Sequence, residues 1–207
     1  MIGIIDYNAG NLTSVKRALD CLSIPSAILS DPNQLAKCER IIFPGVGNAA
    51  SAMATLRERG LDAMLKTAYA QGTPILGICL GAQIILSRSE EGDTQCLDLI
   101  KGQCLRLNVR DKALKIPHMG WNEINIVSEH YMLSGVQPKS QVYFVHSYFP
   151  RPSDETMIFA TCEYDTVFPC AIGLKNLFAT QFHLEKSGPV GLAMLKRFAT
   201  WDGGTSC

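Results

Sequence analysis

A cysteine flanked by glycines is the residue of this chain best placed to do chemistry. Cys79 follows an apolar run with strand character, 74–78, and precedes residues with helical character. A sharp turn from strand to helix, called a nucleophile elbow, exposes one side chain at the end of a sheet, and Gly77 and Gly81 supply the small residues that such a turn needs. The spacing therefore predicts that Cys79 is a nucleophile.

A cysteine at such a turn needs activation by its surroundings. A free cysteine has a pKa near 8.5, so only about 3% of it is thiolate at pH 7. The unpaired N–H groups of a helix N-terminus favour the anion, and a neighbouring imidazolium favours it further. We therefore expect a histidine beside Cys79.

Of the four histidines, His183 is the best candidate for the base, because it ends an apolar run that predicts a strand. Strand-end residues of an open parallel sheet gather at the edge where ligands bind. In an extended segment residues i and i+2 share a face, so Glu185 is placed to orient the imidazole. The sequence thus predicts a triad of Cys79, His183 and Glu185.

Acyl transfer also needs two backbone N–H groups that stabilise an oxyanion. In elbow enzymes the residue after the nucleophile supplies one, which is Leu80 here. The second is predicted from the glycine-rich turn after strand 40–43, which contains Val46 and Gly47. Loss of one such donor typically costs about 10² to 10³ in rate, so the conformation of this turn can switch an enzyme of this kind.

Each of these features alone has a simpler interpretation. A single cysteine in an apolar run is most often a core residue, and His183 with Glu185 alone would suit a surface pair or two ligands of a metal. No convincing third ligand accompanies them, so neither a metal nor a cofactor is predicted. The Pro-Gly-Val-Gly turn at 44–47 is weak as a phosphate loop because no Gly-Lys-Ser/Thr follows it. Together the features favour a nucleophilic site.

The composition excludes several classes of function. The 207 residues are 47% hydrophobic, which is enough to bury a core as one domain. The 19 basic and 19 acidic residues cancel and form no long run of one sign, so nothing predicts binding to nucleic acid or to an anionic membrane. A small neutral substrate or a protein partner fits this balance better.

Cysteine usage and the apolar stretches favour a cytoplasmic protein. The eight cysteines include no Cys-x-x-Cys pair, so neither a zinc ribbon nor a redox motif is predicted. Residues 1–6 lack the basic region and the cleavage site of a signal peptide, and they predict a strand. The longest apolar stretch, 75–86, is shorter than the roughly 20 residues of a membrane span.

The first half of the chain alternates apolar runs with amphipathic segments, which is typical of βαβ units and of a parallel sheet covered on both faces. Helices are expected after Asn11, which is predicted to cap the first of them, and over 48–59, with Gly60 as a stop. The predicted strands are 2–5, 26–29, 40–43 and 74–78.

The second half predicts a different arrangement. From residue 101 onward short β-rich pieces indicate mixed or antiparallel strands. A final helix is predicted over 188–198, with Val190, Ala193, Met194 and Phe198 facing inward. One domain, 1–200, is expected, with 201–207 as a frayed tail.

The sequence around the predicted triad resembles the class I, or triad, glutamine amidotransferases. Two motifs carry the resemblance: Gly-Ile-Cys79-Leu-Gly-Ala-Gln83 and Gln-Phe-His183-Leu-Glu185. Four further strings are similar to the glutaminase subunits of imidazole glycerol phosphate synthases, at 4–11, 44–47, 117–122 and 143–148.

The resemblance implies both a fold and an activity. The fold would be α/β, three-layer and flavodoxin-like, with a mostly parallel central sheet, helices on both faces and a β-rich C-terminal half. The activity would be hydrolysis of L-glutamine to glutamate and ammonia through a thioester on Cys79. The ammonia would pass to a separate cyclase subunit, a (β/α)8 barrel that forms a heterodimer with this chain, for use in histidine biosynthesis.

The resemblance also suggests residues around the substrate. Gln83, one turn after the nucleophile, would face the glutamine, and Ser147 and Tyr148 would lie on a loop near it. The segment 117–122 would lie near the cyclase interface. Two departures matter: Leu184 stands where proline is common, which can loosen the geometry around the base, and Asn8 stands where glycine is common, at a cost in strain if its φ is positive.

Three alternatives remain open from the sequence. A paralogous glutaminase would feed ammonia to another synthase, for example in the biosynthesis of surface sugars. A catalytically weak scaffold subunit would keep the fold without turnover, although the complete triad argues against it. A cysteine peptidase or chaperone-like protein with a related elbow is disfavoured, because those proteins lack the strings at 117–122 and 143–148.

Overall fold

The fold is known from a computed structural model, which describes residues 1–204. The α-helices of this part of the chain are α1 (Leu12–Cys21), α2 (Pro32–Leu35), α3 (Ala49–Glu58), α4 (Leu61–Ala70), α5 (Leu80–Ile84) and α6 (Gly188–Phe198). Its strands are β1 (Ile2–Ile5), β2 (Ser26–Leu29), β3 (Arg40–Gly45), β4 (Ile75–Cys79), β5 (Arg88–Ser89), β6 (Thr94–Gln95), β7 (Gly102–Arg106), β8 (His118–Ile126), β9 (Gln141–His146), β10 (Tyr148–Pro152), β11 (Ile158–Tyr164), β12 (Thr166–Leu174) and β13 (Leu177–Thr180). Short 3-10 turns lie at Glu91–Asp93, Tyr131–Leu133, Glu155–Met157 and Leu184–Lys186.

A nine-stranded sheet forms the centre of the molecule, in the order β2-β1-β3-β4-β13-β12-β11-β8-β9. The strands from β2 to β13 in this order pair in parallel. The strands from β13 to β9 pair antiparallel. A second, four-stranded sheet has the order β10-β7-β5-β6. The predicted α/β fold is confirmed, and the parallel half has the flavodoxin-like order with β13 in the fifth place.

Helices cover both faces of the parallel half and create two apolar cores. On one face α1 and α6 bury Leu19, Met194 and Phe198 in a cluster that also contains aromatic residues of the antiparallel strands. On the other face α3 and α4 pack Met53 and Leu65 against the sheet. This is the three-layer arrangement that alternating strands and helices predict, since a sheet buried on both sides needs a helix layer on each.

The helical region after β3 is longer than predicted. Gly60 adopts a left-handed φ of 68° and ends α3 as expected, but α4 begins at the next residue. In α6 the fully buried residues are Gly191, Met194, Leu195 and Phe198. Val190 and Ala193, predicted to face inward, are only half-buried. The apolar stripe therefore lies about one residue further along the helix than predicted.

The predicted tail begins after a residue that belongs to the core. Trp201 is 1% exposed and packs beside Phe198, with ring centroids 6.2 Å apart. Its indole N–H donates to the Gly204 carbonyl oxygen. Trp201 is therefore not frayed, and residues 205–207 of the predicted tail lie outside the described residues. Within residues 1–204 no helix has the length and apolar character needed to cross a bilayer.

Candidate active site

Cys79 occupies the turn predicted for it, as the last residue of β4 directly before the first residue of α5. Its backbone has φ 54° and ψ −105°, a conformation that a residue with a side chain rarely adopts. The glycines on either side make the turn possible: a Cβ on residue 81 would lie 1.9 Å from the Phe43 carbonyl oxygen, and one on residue 77 would lie 2.9 Å from Ala179 Cβ. The elbow is therefore a strained and sterically determined turn that presents a cysteine at the sheet edge.

His183 and Glu185 lie at the same edge. Thr180 of β13 pairs with Ile78 of β4, so the residues that follow β13 emerge beside Cys79. Glu185 Oε1 lies 2.6 Å from His183 Nδ1, and the two side chains are 0% and 1% exposed. The chain around His183 is fixed, because its N–H donates to the Tyr143 carbonyl oxygen and its own carbonyl accepts from the Ser187 hydroxyl at 2.6 Å.

The charge state of His183 follows from these neighbours. Burial alone would lower the pKa of His183, but the proximity and negative charges of Cys79 and Glu185 raise it to about 10. Its Nε2 is buried and has no partner in aligned hydrogen-bond geometry. The ring is thus held from the Nδ1 side by the carboxylate, and Nε2 is left to exchange a proton with the Cys79 thiol.

Asn11 has a different role from the predicted one. It precedes α1, but its φ is 63° and its side chain does not cap the helix. Instead its amide Nδ2 donates to Glu185 Oε1 and lies 3.4 Å from His183 Nδ1. The predicted side-chain cap was wrong, because Asn11 has a left-handed backbone where a capping residue is extended, and its side chain is instead directed to Glu185, 174 residues away. Asn8, in the same loop, has a φ of 65°, the positive value that makes glycine common at that position.

A cavity of about 270 Å³ opens over the nucleophile. Its wall contains Cys79 together with the residues predicted to contact the substrate or the oxyanion: Gln83, Ser147, Tyr148, Leu80, Val46 and Gly47. Its size is at the small end for ligand sites, which suits a small molecule. An apolar groove of about 290 Å³ at α2 and α4, and one of about 570 Å³ near Phe168, have no cysteine or histidine in their walls.

The N–H of one predicted oxyanion donor, Val46, already makes a hydrogen bond within the protein. Gly45 pairs with Cys79 across β3 and β4, so the glycine-rich turn does lie beside the nucleophile. However, the Val46 N–H donates to the Ala9 carbonyl oxygen at 2.8 Å and is unavailable to an oxyanion. Leu80 is the first residue of α5, where the N–H has no acceptor within the helix. Of the predicted donors, the Leu80 N–H thus has no acceptor within the helix, whereas the Val46 N–H is already bonded to Ala9.

Tyr7 is a buried neighbour of this turn and was not among the predicted site residues. A Cβ on residue 45 would lie 2.0 Å from the Tyr7 hydroxyl oxygen, so only glycine fits there. The hydroxyl has no hydrogen-bond partner. Burial, and then the charge of Cys79, raise the pKa of Tyr7, so the phenol stays neutral.

Gln83 and Gln181 form a buried pair behind the nucleophile. Gln83 Nε2 donates to the Tyr148 carbonyl oxygen at 2.9 Å and to Gln181 Oε1 at 3.1 Å. Gln181 Nε2 lies 3.6 Å from Cys79 Sγ. Gln181 had no predicted role, although its spacing of two from His183 predicts the same face. Among residues 1–204 no group of three or more His, Cys, Asp or Glu is arranged to hold a metal ion.

Comparison with known proteins assigns a family. The model of the family "Glutamine amidotransferase class-I" matches residues 3–200. The chain is 47% identical over 204 residues to imidazole glycerol phosphate synthase subunit HisH of Nitratidesulfovibrio vulgaris (strain DSM 19637 / Miyazaki F), covering 96% of this chain and 95% of that protein. It is 44% identical over 202 residues to the subunit of the same name from Geobacillus thermodenitrificans (strain NG80-2), covering 96% and 94%.

Solved structures agree on the fold. A crystal structure of a glutamine amidotransferase superposes with a TM-score of 0.75 at 17% identity, covering 98% of each chain. The structure of PurLQS from Thermotoga maritima gives a TM-score of 0.73 at 17% identity, covering 96% of this chain and 97% of that chain. The chain therefore belongs to the class-I glutamine amidotransferases, and within them to the group of the HisH subunits.

Proposed function

We propose that the protein is a glutaminase subunit of imidazole glycerol phosphate synthase, which hydrolyses L-glutamine and supplies the ammonia to a cyclase subunit in histidine biosynthesis. The observation that carries the proposal is Cys79 at a strained elbow in a cavity wall, beside the buried pair of His183 and Glu185. The names of relatives that are 44% to 47% identical over nearly the whole chain support the pathway.

The first half of the reaction forms a thioester. His183 Nε2 takes the proton of Cys79, and the thiolate attacks the side-chain amide carbon of glutamine, so that a C–S bond forms and the amide oxygen becomes an oxyanion. His183 then gives the proton to the departing nitrogen as the C–N bond breaks and ammonia leaves. Glu185, fixed on Nδ1, keeps the ring in one orientation through both transfers and stabilises its charged form.

The second half releases glutamate. His183 takes a proton from a water molecule that attacks the thioester carbon, and the C–S bond of the resulting oxyanion breaks to give the carboxylic acid and Cys79. Both oxyanions need the same two donors. Leu80 supplies one, and Val46 or Gly47 supplies the second once the turn releases its bond to Ala9.

The partner in this proposal is the cyclase subunit, a (β/α)8 barrel that forms a heterodimer with this chain. Two large apolar side chains on β8 support an interface at this strand: Met119 is 62% exposed and Trp121 is 54% exposed. Pro117, at the start of the same segment, lines the cavity over Cys79. A partner seated on this segment would be close enough to influence the oxyanion turn.

The test is glutamate release by the purified chain, alone and with a barrel cyclase subunit and its nucleotide substrate. We expect slow release alone and strong activation by the liganded partner. Cys79→Ala should abolish glutamine-dependent synthesis by the complex, whereas added ammonia should still support it. Activity indifferent to this cyclase would favour a different synthase as the recipient, and no release under either condition would favour a scaffold subunit.

A further inference from the structure

We propose that Gln181 is a further catalytic residue, whose side-chain N–H donates a hydrogen bond to the Cys79 sulfur and stabilises its thiolate. The amide nitrogen lies 3.6 Å from Sγ, and the side chain is completely buried. This inference rests on the proposed function, in which Cys79 is the nucleophile. It assigns the reacting sulfur a donor besides His183.

The orientation of the Gln181 amide is imposed from outside the pair. The Tyr148 carbonyl oxygen can only accept, so Gln83 must turn its NH2 group toward it. The other N–H of the same group then meets Gln181 Oε1, which accepts. If the Gln181 amide were reversed, two NH2 groups would face each other. Gln181 must therefore present N–H, and not oxygen, to Cys79.

A pair of buried histidines adds a second donor to the same carbonyl. His146 Nδ1 lies 2.9 Å from the Tyr148 carbonyl oxygen and must therefore carry a proton. His146 Nε2 is then an acceptor and receives the Nδ1–H of His118 at 3.1 Å. His118 Nε2 in turn accepts from Asn122 Nδ2 at 3.3 Å. Each donor in this series of hydrogen bonds points toward Tyr148. The Tyr148 carbonyl oxygen is therefore held as an acceptor by two donors, one from Gln83 and one from His146.

Charge at the sulfur makes this donor useful. α5 has only five residues, so its dipole is a weaker stabiliser of the anion than a long helix would be. A hydrogen bond to an ionised acceptor is roughly twice as strong as one between neutral groups. The Cys79 thiol can also donate to the Val145 carbonyl oxygen at 3.9 Å, but this carbonyl cannot donate and offers nothing to an anion. Gln181 and His183 are thus the side chains that favour the reactive form.

The experiment measures the rate of alkylation of Cys79 by iodoacetamide as a function of pH, read by mass spectrometry of its peptide. Gln181→Met removes the donor at similar volume and without charge. We expect the midpoint of the rate profile to rise by about one pH unit, equivalent to an about tenfold lower rate below the midpoint. Cys21 is exposed and serves as an internal control for the reagent in the same sample. The pH profile of its alkylation rate must not change.

Gln71→Met is the matched control, because Gln71 is exposed at the end of α4, away from the cavity. Its Cys79 profile should coincide with that of the wild type. An unchanged Cys79 midpoint in folded Gln181→Met overturns the proposal. The readout needs neither glutamine nor a partner, so failure of the proposed pathway would not produce this result.

A measurement on the wild type covers the case in which Gln181→Met does not fold. The assigned side-chain 15N–1H signals of Gln181 should shift with pH in step with the alkylation profile, and this shift should vanish in Cys79→Ala. Signals that do not respond to pH in the wild type contradict the hydrogen bond directly.

Discussion

His183 Nδ1 lies 2.6 Å from Glu185 Oε1, and both side chains are buried. Because an ionised carboxylate only accepts, Nδ1 carries the proton and Nε2 is left free to act on Cys79. The same carboxylate oxygen accepts from Asn11 Nδ2, while the other, Oε2, is buried without a partner. The orientation of the base therefore depends on one oxygen atom that two side chains share.

Glu185→Gln tests the charge of this carboxylate. Glu185 is one of the groups that raise the pKa of His183 to about 10, so neutralising it should lower that pKa and deplete the charged His183 at neutral pH. We expect kcat to fall by about 10² to 10⁴, as for the neutralised carboxylate of a serine triad. The measurement is kcat against pH with glutamine. Glu155→Gln, at an exposed ion pair with Arg151, should behave as the wild type.

Asn11→Gly tests whether Asn11 orients Glu185. Glycine keeps the left-handed φ of 63° without strain and removes only the side chain, so folding should be preserved. We expect kcat to fall about tenfold because Glu185 loses its second partner. Asn8→Gly is the matched control, since Asn8 has nearly the same φ of 65° in the same loop. Equal effects of the two variants would mean that the loop backbone, and not the Asn11 amide, matters.

Leu184→Pro should be tolerated by the backbone but should cost stability. Leu184 is the first residue of a 3-10 turn, a position where the fixed φ of proline fits. Its side chain is fully buried in the core beside α6, so the smaller ring should reduce the free energy of unfolding by about 1 to 3 kcal/mol. We expect kcat to change less than about threefold. Glutaminase activity and urea unfolding are both measured on the same sample.

Leu184→Ala separates the two effects, because it loses a similar volume and keeps a free φ. Both variants should show similar urea midpoints. A large loss of kcat in Leu184→Pro that is absent from Leu184→Ala would mean that the turn after His183 needs a φ that proline cannot adopt.

The sequence was a reliable guide where the determinant is local. The elbow at Cys79 follows from two glycines within two residues of it, and the steric reason is visible in the structure. The strand predicted before His183 is present as β13, and the parallel pairing of β4 and β13 brings its end to Cys79. These features depend on residues adjacent in the sequence and on the general rule that the carboxyl ends of parallel strands meet at one edge of the sheet. Glu185, however, lies in the 3-10 turn Leu184–Lys186 and not in the extended segment from which its position was predicted.

The sequence was a poor guide where a side chain chooses between distant partners. Asn11 had a local partner available, the N-terminus of α1, but bonds to Glu185 instead. Gln83 and Gln181 are separated by 98 residues, and nothing in either local pattern indicates the pairing. Val46 was one of two predicted sources of the second oxyanion donor, but the bond of its N–H to the Ala9 carbonyl depends on how two loops meet. Such choices are decided by tertiary packing.

Acid should destabilise the protein below about pH 6.5. Burial lowers the pKa of His146 to about 3, and lowers those of His118 and His130 to about 4. These histidines are neutral in the fold and bind protons near pH 6.5 when unfolded, so their stability is present above that pH and is lost as the pH falls toward 4. His183 acts oppositely, since its raised pKa gives stability that is lost as the pH rises toward 10.

Urea unfolding at pH 7.5, 6.0 and 5.0 should therefore show a steady fall in the free energy of unfolding on the acid side. For His146 alone the slope is at most about 1.4 kcal/mol per pH unit. His130→Asn tests the assignment, because asparagine can still accept from the Met132 N–H but does not titrate. The variant should be less stable at pH 7.5, since it leaves space beside Phe178. Its free energy of unfolding should, however, fall less steeply as the pH is lowered. If the free energy of unfolding of the variant falls with pH as steeply as that of the wild type, His130 is not held neutral in the fold.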